Sequence, residues 1–170
     1  MESGRWRQLS LYRENDGWNT TLCDEWLPVT CSLMQRLADD HPDEFGGKVK
    51  LFELGPGGAL MPHFGPTNTR LLLHFAVVVP GGGGIEGVGG GIEGAKASGE
   101  APGRSFLRVA EEVRMWSEPG QVEVFDDSFE HEVRNEAATS RLVLAVQLLH
   151  PGLGRGELVG GRYTYNRPSN

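Results

Sequence analysis

Apolar and polar residues alternate over Trp6-Arg7-Gln8-Leu9-Ser10-Leu11-Tyr12, a period of two that predicts a strand. The spacing then changes. Cys31-Ser32-Leu33-Met34-Gln35-Arg36-Leu37 carries apolar residues at helical intervals, with Thr30 placed to cap a short helix and His41-Pro42 placed to follow its end. Lys48 to Leu54 predicts a second strand, stopped by the turn-forming Gly55-Pro56-Gly57-Gly58. Arg70 to Val79 is nearly all apolar and β-prone, as in a strand covered on both faces. Five short strands are predicted after residue 105, at Phe106–Val109, Val113–Trp116, Val122–Phe125, His131–Arg134 and Arg141–Leu149. Strands at roughly ten-residue spacing, separated by Gly, Pro and Asp, imply a sandwich or barrel.

Two stretches break the pattern. Residues 81–104 hold 11 glycines among 24 residues and no aromatic side chain, too little apolar surface to offset the entropy of ordering. They are expected to form a flexible loop inserted in a β-hairpin. No strand–turn–helix context or P-loop lysine surrounds them, so a phosphate cradle is not the reading. The tail after residue 153 is polar and Gly-rich and expected to fray. At 170 residues the chain is read as one domain over 1–170, large enough for a real core without disulfide help.

A net charge of −7 and a pI of about 5.2 argue against a nucleic-acid or anionic-membrane surface. No apolar run reaches the ~20 residues of a membrane helix. The start, Met1-Glu2-Ser3-Gly4-Arg5, lacks the leader pattern of a basic stretch followed by an apolar one. The default compartment is the cytoplasm, and an endomembrane lumen is the alternative if the chain is part of a longer protein. The two cysteines, Cys23 and Cys31, are too few for a disulfide scaffold or a zinc site. They are read as reduced thiols or as a local disulfide, which would imply an oxidising compartment. Asn19-Thr20-Thr21 matches the N-glycosylation pattern, a motif common by chance.

The chemistry concentrates in histidines. His41 lies in a polar loop, and His150 ends a strand with no assigned role. His63, His74 and His131 border strand-like runs beside small or acidic residues. Neutral imidazole is the commonest biological metal ligand. Non-heme iron oxygenases use two histidines and one carboxylate, in the form His-x-Asp/Glu followed by a distant His. Here the chain reads His63-x-Gly65 and then His131, each in a short polar turn, so by spacing the carboxylate is missing. Asp126, Asp127 and Glu130 would supply it, or they form a solvated turn in which Asp127 or Ser128 bonds the backbone. Structural histidines are the competing reading. Arg141 opens an apolar strand, either as a surface residue or as a bidentate clamp on a carboxylate inside a barrel mouth.

Pro62-His63-x-Gly65-Pro66-Thr67-Asn68, the strand ending at His74, and Phe125-Asp126-Asp127-Ser128-Phe129-Glu130-His131-Glu132-Val133 together resemble the aspartyl/asparaginyl β-hydroxylases. The resemblance runs from about Trp6 to Pro151 and takes in Arg108-Val109, Arg114-x-Trp116 and Pro28-x-Thr30-Cys31. It implies an all-β double-stranded β-helix, or jelly roll, with a short N-terminal helix. It also implies an Fe(II)- and 2-oxoglutarate-dependent dioxygenase using O2. Glycine stands in the usual acid position of that family, so His63 and His131 would be the whole protein ligand set. Arg141 would pair with the distal carboxylate of 2-oxoglutarate, and His74 with the carboxylate nearer the iron. The implied substrate is Cβ of a peptidyl Asp or Asn in a disulfide-rich module such as an EGF-like domain. Similar sequences act on lipid acyl chains and small molecules, and a non-catalytic barrel binding a metal or carboxylate is a third reading. Two residues depart from the family pattern: Leu72 stands where an arginine is usual, and Phe52 where a polar residue is usual. Arg70, on the same strand face as Leu72, is placed to substitute in part.

Overall fold

The computed structural model describes residues 2–3, 5–80, 103–151, 158–159 and 162–163. Every strand pairing in it is antiparallel. In chain order the strands are β1 (Glu2–Ser3), β2 (Trp6–Arg13), β3 (Gly17–Trp18), β4 (Phe45–Leu54), β5 (Ala59–His63), β6 (Arg70–Val78), β7 (Ser105–Val109), β8 (Glu112–Met115), β9 (Val122–Phe125), β10 (His131–Asn135), β11 (Arg141–Leu149), β12 (Leu158–Val159) and β13 (Arg162–Tyr163). A six-stranded sheet runs β3-β2-β4-β11-β6-β9, a five-stranded sheet runs β1-β5-β10-β7-β8, and β12 pairs with β13. This is a jelly-roll, double-sheet architecture, within the sandwich-or-barrel class read from the strand pattern and as the family resemblance implied.

Alternation along β11 explains how both faces of the larger sheet are covered. Leu144 and Val146 join Leu11, Val49, Cys23 and Cys31 in a cluster beneath α1 (Pro28–Asp40), the one α-helix among the described residues. The opposite face meets the smaller sheet, where Leu54 and Phe125 pack with Leu107 and Val133. β6 sends Leu73, Phe75 and Val77 to the helix-side cluster and Leu72 to the cluster between the sheets, so its apolar run is packed on both faces as predicted.

Four expectations need correction. Helix α1 begins at Pro28, whose fixed φ and missing N–H suit a first helical position, so Thr30 lies inside the first turn and caps nothing. Cys23, in a π-helical turn over Leu22–Trp26, is bonded to Cys31 of α1; the reading of reduced thiols gives way to a buried disulfide. β6, ending at Val78, and β7, starting at Ser105, belong to different sheets, so the strands on either side of the glycine-rich segment do not pair as the expected hairpin. His63 closes a strand that was not expected and does not sit in a turn, whereas His131 opens the strand predicted over His131–Arg134. The glycine-rich segment and most of the tail lie outside the described residues. Among the described residues no helix is long and apolar enough to cross a membrane.

Candidate metal and carboxylate site

His63 closes β5, His131 opens β10, and the two are direct partners in the register between these strands. Cross-strand partners project side by side from one face. Their rings stand 4.2 Å apart, centroid to centroid. His63 Nδ1 donates to the Met61 carbonyl at 2.7 Å, and His131 Nδ1 donates to the Phe129 carbonyl at 2.9 Å. A carbonyl only accepts, so each Nδ1 carries the ring proton and each Nε2 keeps its lone pair. Burial holds the His131 pKa below its ordinary value; the bond to Phe129 opposes this, and neighbouring His63 adds to it. With Nδ1 of each ring held by a backbone carbonyl, the Nε2 positions are the ones that could hold a metal.

Gly65 lies against the second segment. Its N–H donates to the Asp127 carbonyl at 2.5 Å. A Cβ at position 65 would overlap the Asp127 carboxylate and come within 2.8 Å of the Asp127 backbone oxygen. A side-chain acid at 65 therefore has no room, and the carboxyl group beside that position comes from Asp127. This carboxylate is itself committed: Arg70 Nη2 donates to Oδ2 at 2.6 Å and Nε donates to Oδ1 at 3.3 Å. Asp126, in turn, accepts the Ser128 N–H at 2.8 Å and forms the local turn. Among the described residues no group of three or more His, Cys, Asp and Glu side chains could hold a metal ion.

From the histidine pair a cavity of about 220 Å³ leads to His74 and Arg141. Trp6, Phe52, Leu54, Leu72, Phe125 and Val133 form its apolar walls. Both ring nitrogens of His74, and Nε and Nη2 of Arg141, are buried without a hydrogen-bond partner. Burial lowers the Arg141 pKa to about 9. Burial first, then the charge of Arg141 and then His131, push His74 down to about 3 and keep it neutral. Buried polar groups in folded proteins are nearly always satisfied, so this end of the cavity is shaped for an anionic, acceptor-rich ligand. Arg70 lines the same cavity, as its strand face predicted, but its guanidinium is held by Asp127 and contacts Gln147 at 3.4 Å. Leu72 and Phe52 both line the cavity, where Arg141 and the ion-paired Arg70 are the only arginines among the described residues. His41 pairs with Glu44 at 3.5 Å, and neither it nor His150 lines the cavity.

The sequence profile of the aspartyl/asparaginyl β-hydroxylase family matches residues 1–151. The chain belongs to this family. It is 35% identical over 155 residues to the human aspartyl/asparaginyl beta-hydroxylase, covering 89% of this chain and 17% of that protein. It is 32% identical over 124 residues to the ornithine lipid ester-linked acyl 2-hydroxylase of Rhizobium tropici, covering 73% of this chain and 35% of that protein. The chain thus spans about a sixth of the length of its animal β-hydroxylase relatives. Among solved structures, the cupin domain of Schizosaccharomyces pombe Cnp3 aligns over 88% of this chain and 69% of that one, with TM-score 0.45 and 8% identity. His63, Gly65, His74, His131 and Arg141, the residues singled out by the resemblance, all line the same cavity. Sequence reasoning offered Asp127 as a substitute carboxylate or a turn residue but did not foresee that it fills the space beside Gly65; Trp116 stood inside a quoted motif without a role, and its place against Arg141 was not foreseen.

Proposed function

We propose that this member of a hydroxylase family is an Fe(II)- and 2-oxoglutarate-dependent dioxygenase that hydroxylates an unactivated C–H bond. The observation that carries the reading is a cavity lined both by two imidazoles held at Nδ1 by backbone carbonyls and by a buried arginine whose Nε and Nη2 have no hydrogen-bond partner among the described residues. His63 and His131 would hold the iron. Arg141 would receive the distal carboxylate of 2-oxoglutarate through charge-assisted hydrogen bonds. His74, neutral and buried, would donate one N–H to the carboxylate nearer the metal without adding charge. Bound iron with O2 supplies the oxidising power that converts 2-oxoglutarate to succinate and CO2 and delivers one oxygen atom to the substrate.

The remaining roles fall to groups that orient and exclude water. The carbonyls of Met61 and Phe129 fix the ligand rings. The Arg70–Asp127 pair, 13% and 4% exposed at its side chains, keeps a carboxylate beside the histidines without letting it swing. Apolar walls keep water from the reacting region.

The substrate favoured by the family is a peptidyl Asp or Asn, attacked at Cβ, with an EGF-like module as one carrier. The buried Cys23–Cys31 disulfide favours an oxidising lumen, where such modules also mature. A lipid acyl chain is the second reading. It is favoured by the similarity to the ornithine lipid acyl 2-hydroxylase and by exposed Phe64 and Phe129 beside the two ligand histidines. With two protein ligands the iron should be lost to chelator dialysis more readily than from a three-ligand site. The test is O2-dependent succinate release from 2-oxoglutarate with Fe(II) in wild type and His131→Ala. Succinate from wild type alone supports the reading; background from both at millimolar 2-oxoglutarate rejects it.

A further inference from the structure

Arg141 is the most buried arginine among the described residues. Arg70 and Arg108 are each ion-paired, to Asp127 at 2.6 Å and to Glu132 at 2.7 Å. Arg141 is more buried than either, 3% exposed, yet among the described residues no carboxylate pairs with it. What it has is Trp116. The guanidinium carbon lies 4.7 Å from the centroid of that ring. Trp116 is itself buried, 4% exposed, packed with Ala76 and Val79 and tied by its backbone N–H to the Ser105 carbonyl at 2.9 Å. Its ring also stacks near His74, with centroids 6.4 Å apart. Trp116 is not among the residues that line the cavity, whereas Arg141 is.

The physical consequence is specific. A carboxylate beside a buried arginine neutralises it and occupies the N–H groups an incoming anion needs. An indole face attracts the same cation through its quadrupole and takes up no N–H. The guanidinium is held in place and remains available.

We propose that Trp116 is the positioning residue for Arg141: its indole face holds the guanidinium in place of a counter-carboxylate, so that the cation can bind the distal carboxylate of the co-substrate. This rests on the reading of the cavity as a 2-oxoglutarate site. It makes Trp116 a determinant of selectivity for dicarboxylic over monocarboxylic 2-oxoacids, because only the former reach Arg141 with a charge. The Trp116 Nε1–H, buried without a partner, adds a donor to the same cluster.

The test uses calorimetric titration of the Mn(II)-loaded protein with 2-oxoglutarate and with 2-oxopentanoate, which lacks the distal carboxylate. Wild type should bind 2-oxoglutarate more tightly. Trp116→Leu should weaken 2-oxoglutarate by about 10- to 30-fold, the equivalent of a desolvated cation–π contact, and leave 2-oxopentanoate within about 2-fold. Trp116→Phe keeps a ring face with a weaker quadrupole and should lose about 3-fold; it carries the test if the leucine variant does not fold. Parallel weakening of both acids would mean a merely structural role and overturn the assignment. So would unchanged selectivity in both variants while wild type discriminates. A wild type with no preference for the dicarboxylate rejects the co-substrate reading itself, and the role of Trp116 with it.

Discussion

Replacing Gly65 by alanine should destabilise the protein through one identifiable collision. Gly65 has no positive φ, so alanine meets no backbone penalty there. The added methyl runs into the Asp127 carboxylate and lies 2.8 Å from the Asp127 carbonyl oxygen. The carboxylate cannot simply rotate away, since Arg70 holds one oxygen at 2.6 Å and the other at 3.3 Å. Releasing Asp127 would strand a largely buried arginine, at about 3–5 kcal/mol. Shifting the backbone around position 65 is the cheaper response, at about 1–3 kcal/mol for overpacking. The smaller cost governs, so about 2 kcal/mol is expected. For a chain of this size that lowers Tm by about 4–8 °C. Urea unfolding of wild type, Gly65→Ala, Asp127→Ala and the double variant checks the cause. The double variant should recover about 1 kcal/mol or more relative to the sum of the single changes. Strict additivity, or a Gly65→Ala midpoint indistinguishable from wild type at equal m-value, would refute the argument.

Three further outcomes follow from the same geometry. Arg141→Leu removes the charged partner of the distal carboxylate and should raise the KM for 2-oxoglutarate by about 10- to 150-fold, the equivalent of 1.5–3 kcal/mol, measured as succinate released against co-substrate concentration. His74 titrates near 3 when folded and near 6.5 when unfolded, so the unfolded chain binds the extra proton and stability is fully present only above about pH 6.5. It should fall by up to ~1.4 kcal/mol per pH unit between 6.5 and 5, with lowered His131 adding in the same direction, and His74→Gln should reduce that slope in urea unfolding at stepped pH. Replacing both Cys23 and Cys31 by alanine should cost about 2–3 kcal/mol by chain entropy, read from the urea midpoint without reductant.

Strand positions were legible wherever one face is buried. The alternation at Trp6–Tyr12 and the apolar run from Arg70 mark β2 and β6 to within a residue or two. Strand β5 was not foreseen, because Ala59-Leu60-Met61-Pro62-His63 has no period and contains a proline. Missing β5 also hid the central geometric fact, that His63 and His131 are register partners. The hairpin expected around residues 81–104 failed for a related reason: local pattern says that Val78 and Ser105 end and begin strands, not which sheet each joins. Long-range pairing and side-chain proximity are likewise beyond spacing, which is why Asp127 beside Gly65 and Trp116 beneath Arg141 emerge only in three dimensions. Motif residues held in tight groups, such as His63 with Gly65, carried the family; the disulfide was one of two open readings.

The central claim is that His63, His131 and Arg141 assemble one iron and one 2-oxoglutarate in a single cavity. Its most direct test is anaerobic titration of the metal-free protein with Fe(II) in the presence of 2-oxoglutarate, following the visible charge-transfer absorption of an iron-chelated 2-oxoacid. A band that saturates at one Fe(II) per chain, needs both components and disappears in His63→Ala and His131→Ala is the expected result. No protein-dependent band in wild type, or one that survives loss of either histidine, would contradict it.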